Sequence, residues 1–161
     1  MTTGKILASM IVLSAILAGA AVYYLQVYGF YDPVDEIAGA QEIQIVTTDG
    51  RAEAIAVSDF RGIDADSSPL RYRSCFVLDD GASVENAAAY DGPTPLVGPN
   101  WFNCYSAKAL TADLESGAAR AYLVQPDIET GVDRVMAVYP DGRAFAWHQL
   151  NDSAEESRTI E

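Results

Sequence analysis

Residues 6–25 read ILASMIVLSAILAGAAVYYL, twenty positions without a charge. At about 1.5 Å of rise per residue, a helix of this length covers roughly 30 Å, the depth of a bilayer core. The stretch decides the architecture: one N-terminal transmembrane span, with the remainder of the chain on one side of the membrane. Lys5 is the only charge before it, and the next basic residue is Arg51. That asymmetry predicts a cytoplasmic N-terminus and an exported C-terminal part. At the end of the run and just past it, Tyr23, Tyr24, Tyr28, Phe30 and Tyr31 gather where the helix leaves hydrocarbon. Amphipathic rings favour the headgroup boundary, so these residues and Lys5 form the expected membrane interface with the lipid bilayer. The rival reading is a cleaved secretory signal, with MTTGK as n-region, Ile6–Leu17 as h-region and Ala18-Gly19-Ala20 as cleavage site. The apolar run continues past that site, which favours a retained anchor over residues 1–31. Ala15 and Gly19 have a small-xxx-small spacing, which ordinary spans also show.

Composition narrows the possibilities for the rest of the chain. The protein has 161 residues, 50% hydrophobic and 20% charged, enough for one ordinary domain beyond the span. Ten Lys and Arg stand against 23 Asp and Glu, a formal charge of −13. All 23 acids lie at or beyond Asp32 with nine of the basic residues, so the exported part carries −14. Such a domain repels phosphate backbones, and no nucleic acid is expected among its partners. Two cysteines and one histidine supply neither a four-cysteine site nor paired histidines. No metal or other cofactor is expected.

Residues 32–41 (DPVDEIAGAQ) lack periodicity and read as a juxtamembrane connector. Residues 42–150 read as one α+β domain with a small, mostly antiparallel sheet and one main helix. Glu42–Thr48 and Arg51–Val57 alternate apolar and polar residues around Asp49-Gly50, a hairpin pattern. Leu70–Leu78 is a third strand, with Arg71 and Arg73 on one face. Gly92, Pro93, Pro95, Gly98 and Pro99 make Ala82–Asn100 a long loop with room for a short helix. Ser106–Ser116 has a capping serine, leucines at helical spacing and a following glycine. Strands are expected at Ala119–Val124, Val132–Tyr139 and Arg143–Leu150, the last two joined by Pro140-Asp141-Gly142. Residues 151–161 read as an acidic, frayed tail.

Candidate chemistry is sparse. Cys75 and Cys104 in an exported domain predict one structural disulfide, worth about 3–4 kcal/mol by loop closure. A redox-active pair is disfavoured by the absence of C-x-x-C. His148 shares a strand face with Ala144, Ala146 and Leu150, and without a second imidazole or a serine elbow it reads as structural. Asp64-Ala65-Asp66-Ser67-Ser68 opens like a calcium loop, but Pro69 and Cys75 occupy the positions that require Gly and Glu, so an Asx-turn is the better reading. Arg71 and Arg73 are expected to pair with acids of the domain. Nothing marks a catalytic group, so the protein is read as no enzyme.

GIDADSSPLRYRSCF (62–76), WFNC (101–104) and DRVMAVYPDGRAFAWHQ (133–149), behind an N-terminal span, resemble a family of small uncharacterised bacterial single-span membrane-anchored proteins. The resemblance implies an inner-membrane protein of the Gram-negative envelope with its domain in the periplasm, and brings no activity or cofactor. Taken with the charge, it leads to an expected function: an accessory subunit or partner-binding module of an inner-membrane protein complex of respiratory or photosynthetic electron transport. A basic c-type cytochrome is the partner that the charge would suit. The alternative is an envelope assembly or maturation factor acting transiently on a membrane enzyme.

Overall fold

A computed structural model describes residues 2–34, 43–79 and 82–154, which divide into two units at Tyr31/Asp32. The first unit is helical. Helix α1 (Thr3–Tyr24) passes into one turn of wider π-helix at Leu25–Gly29, a combined stretch of 27 residues whose 18-residue apolar window has a mean hydropathy of 2.3 and is not buried at all. It is long and apolar enough to cross a membrane, a property that an anchor needs and that an export signal can also show.

The second unit is built on a six-stranded antiparallel sheet in the order β1-β4-β5-β8-β7-β6. Its strands are β1 (Asp32–Pro33), β4 (Val57–Asp64), β5 (Arg73–Leu78), β6 (Arg120–Glu129), β7 (Val132–Val138) and β8 (Arg143–Leu150). A two-stranded sheet, β2 (Gln44–Val46) with β3 (Ala52–Ala54), forms the expected hairpin around Asp49-Gly50, and Gly50 takes φ +83° as that turn requires. Helix α2 (Ala107–Ser116) starts where the Ser106 hydroxyl accepts a hydrogen bond from Ala109 N at 3.3 Å and ends on left-handed Gly117, φ +78°.

Strand β7 is buried along its whole length, and its alternation feeds two cores. Met136 and Val138 join Tyr72, Phe76, Ala144 and Ala146 on one face, with Ile45 of β2 and Ile43 just before it. Val135 and Ala137 join Cys75 and Trp147 on the other, beneath Leu110 of α2. A sheet covered on both faces explains why its central strands read as nearly continuous apolar runs. The fully buried Trp147 and Tyr72 each account for about 1.5–3 kcal/mol of apolar burial.

Three expectations are corrected. The connector reading of 32–41 fails at its start: Asp32 and Pro33 pair with Asp64 and Ile63, and Val34 is fully buried in the core. Pro33 fits because β1 is an edge strand. Val34 fits because residue 62 is glycine, where a Cβ would stand 2.9 Å from the Val34 Cβ. The rest of that connector, residues 35–41, lies outside the described residues. Second, β4 was invisible and β6 runs five residues past the expected end at Val124. Both strands carry bulges, with Asp59 at φ +51° and Asp127 at φ +45°, and a bulge breaks the two-residue alternation by which strands are recognised. Third, the tail does not fray at once. Asn151 N donates to Gly131 O at 3.0 Å, and its side chain donates to Asp133 at 2.8 Å and Asp127 at 3.0 Å. Residues 155–161 lie outside the described residues.

Candidate functional site

The Pro140-Asp141-Gly142 turn sets the register of β7 on β8, pairing Val138 with Ala144 and therefore Arg134 with His148. Both residues point to the face that carries Tyr72. The His148 Nδ1 lies 2.6 Å from the Pro69 carbonyl, which can only accept, so Nδ1 carries the proton. Nε2 is then the acceptor, and Arg134 Nε donates to it at 2.9 Å. Tyr72 stacks on the imidazole with centroids 4.6 Å apart, and the Arg134 guanidinium lies 4.1 Å over the same phenol ring. Burial, reinforced by the Arg134 charge, pushes the His148 pKa down to about 3. With its one proton donated and its one lone pair occupied, this imidazole has neither atom to offer a substrate or a metal.

Beside the stack opens a cleft of about 530 Å³, lined by Asp64, Asp66, Ser68, Glu129, Arg134 and His148 among others. Asp64 accepts a hydrogen bond from Ala65 N at 2.8 Å, and burial raises its pKa. The Asx-turn expected here is replaced by a serine turn, with Ser68 Oγ accepting from Leu70 N at 3.3 Å. Among the described residues, no three His, Cys, Asp or Glu side chains stand close enough to share a metal ion. Arg134 is 9% exposed. Its Nη groups carry no hydrogen bond among the described residues, and the residue lines the cleft.

The opposite face ends in a second polar cluster that is saturated. The buried Asp133 carboxylate accepts from Tyr90 Oη at 3.0 Å, Asp127 N at 2.9 Å and Asn151 Nδ2 at 2.8 Å. Gln149 Oε1 accepts from Trp147 Nε1 at 2.9 Å and Thr94 N at 2.8 Å. These contacts hold the Pro/Gly-rich loop against the sheet. So does Cys75, whose sulfur is bonded to that of Cys104 at 2.12 Å across 29 positions. Arg73, expected to meet acids, instead directs its guanidinium to backbone carbonyls, Leu96 at 2.8 Å and Leu70 at 2.9 Å, with Val97 at 3.1 Å. It is 3% exposed, and a buried guanidinium fork satisfies several carbonyls at once. Arg71 lies outside the strand that was to hold both arginines.

The residues expected at the membrane interface all belong to the helical unit. Lys5 lies near the start of α1, Tyr23 and Tyr24 in its last turn, and Tyr28 in the π-turn that Phe30 ends, with Tyr31 following. Tyr24 and Tyr28 stack at 5.9 Å.

The profile of a family of unknown function, DUF6446, matches residues 43–158. The chain belongs to that family. No curated protein and no solved structure matches it. The DUF6446 segment contains the Arg134–His148–Tyr72 stack, its cleft and the disulfide, while α1 and β1 precede it. Within this DUF6446 domain, Arg134 and Tyr72 are the site residues that sequence reading missed. The signal was present: a cation inside the apolar run VDRVMAV, opposite the only histidine once the turn fixes the register.

Proposed function

We propose that the protein is a non-catalytic, membrane-anchored module whose acidic exported domain binds a basic partner within an inner-membrane complex. The observation that supports it is the uncompensated charge of the domain surface. From Asp32 onward the formal charge is −14, and folding withdraws cations from the outside. Arg73 and Arg134 are buried, while Arg51 and Arg143 lie against Asp49 and Asp141 at 2.8 and 2.7 Å. Glu53, Asp59, Asp66, Glu85, Asp91, Glu115 and Glu129 remain exposed. A surface of this sign attracts cationic partners and repels acidic ones within the ~8–10 Å Debye length.

The disulfide suits an oxidising compartment such as the periplasm. Lys5 near the start of the span and the aromatic group Tyr23, Tyr24, Tyr28, Phe30 and Tyr31 around its other end suit a cytoplasmic N-terminus with an anchor in the inner membrane. A basic c-type cytochrome of an electron-transport complex is the partner class that best matches the charge. The test is gentle detergent extraction from the native membrane, purification through the protein and identification of what accompanies it. Partners at fixed stoichiometry, lost progressively as salt rises to about 0.5 M, are the expected result. Substoichiometric recovery favours the transient assembly factor. Retention indifferent to salt contradicts the electrostatic reading.

A further inference from the structure

We infer that the cleft beside the Arg134–His148–Tyr72 stack binds a ligand carrying a carboxylate next to a cationic group, with Arg134 taking the carboxylate and Asp64, Asp66 and Glu129 facing the cation. The anchor is Arg134, a nine-tenths buried residue in the lining of the cleft, whose Nε is committed to His148 and whose Nη groups carry no hydrogen bond among the described residues. A planar fork of donors, oriented by a hydrogen bond and a ring beneath it, matches a carboxylate in two-point geometry. His148 is held neutral by the donor–acceptor pattern around it, so Arg134 is the one positive side chain among the described residues of the lining.

Charge selects what accompanies the carboxylate. Of the lining carboxylates, Asp64 is half-buried, while Asp66 and Glu129 are exposed. A simple anion would meet three carboxylates on its way to one arginine, and a simple cation would leave the guanidinium facing it unmatched. A molecule with both signs and a net positive charge satisfies both. A basic amino acid has this chemistry, and so does the C-terminus of a polypeptide ending in Arg or Lys. The second source deepens the proposed binding of a basic partner and rests on that reading; the first does not.

Titration calorimetry on the full-length protein in detergent tests the site with three probes: Gly-Gly-Arg with a free carboxylate, the same peptide amidated, and L-arginine. The free acid is expected to bind and the amide to lose at least about tenfold in affinity, the usual cost of removing a charge-assisted pair. Substituting Asp66→Asn together with Glu129→Gln, both at exposed positions, is expected to weaken the free acid about fivefold or more without unfolding the domain. Binding of L-arginine as tight as the peptide identifies a small-molecule site, and binding of the peptide alone identifies a C-terminus reader. Equal binding of acid and amide, or no binding of either at about 10 mM, overturns the proposal. That failure leaves salt-dependent co-purification untouched, so the two readings fail separately.

Discussion

His148 shows how a potentially reactive side chain is made structural. In the unfolded chain it takes up a proton near pH 6.5, whereas the folded imidazole resists protonation down to about pH 3. The neutral-imidazole contribution to stability is therefore complete above about pH 6.5 and declines as the pH falls through the window between these values, by about 3–5 kcal/mol in all. The measurement is the chemical shift of the imidazole Cε1 proton, expected to stay constant from pH 8 to 5; a titration midpoint near 6.5 contradicts the assignment. Arg73 makes a second local case. Arg73→Lys keeps the charge but replaces the fork with a single ammonium, and is expected to cost about 1–3 kcal/mol in urea denaturation. A cost near zero would mean that the carbonyls of Leu96 and Val97 do not need the fork. His148 was legible as structural from its isolation. Its partner Arg134 was not, because a hydrogen bond across two strands appears only once their register is known.

Among the elements, regular alternation and strong punctuation were legible: the β7–β8 hairpin, α2 between Ser106 and Gly117, and the Asp49-Gly50 turn. Strand β4 and the part of β6 beyond Val124 escaped because left-handed Asp59 and Asp127 shift which side chains face inward. β1 escaped because two residues show no period, and its place is set instead by the room above Gly62. Gly62→Ala drives a Cβ to 2.9 Å from both Val34 and the Phe60 ring, so it should destabilise by about 1–3 kcal/mol. The tail packs on the β6–β7 turn, where a Cβ at Gly131 would stand 2.8 Å from the Ala154 Cβ. Gly131→Ala is thus penalised twice, by φ +78° and by that contact. Deleting residues 152–161 should remove the contact part of the penalty and leave the conformational part of about 1 kcal/mol. Equal penalties in the two backgrounds, measured as a double-mutant cycle, would show that the tail is not seated there. Removing the crosslink by Cys75→Ala with Cys104→Ala should cost about 3–4 kcal/mol, because it releases the loop that Arg73 and Gln149 also hold.

Taken as one polypeptide, the chain joins an apolar helix of 27 residues to a domain that holds all 23 acids. That division was the most legible feature of the sequence, since it needs only hydropathy and charge counts. What the domain binds was the least legible, because complementarity depends on which charges folding buries. If the domain lies outside the cytoplasm, its surface charge meets envelope partners and its cysteines remain bonded. The most direct test is protease treatment of intact spheroplasts carrying a C-terminal epitope on the protein, with maleimide labelling before and after reduction. The account predicts loss of the epitope from unbroken cells, survival of the N-terminal segment, and labelling of Cys75 and Cys104 only after reduction. An epitope protected until the membrane is broken, with both thiols labelled at once, would contradict it.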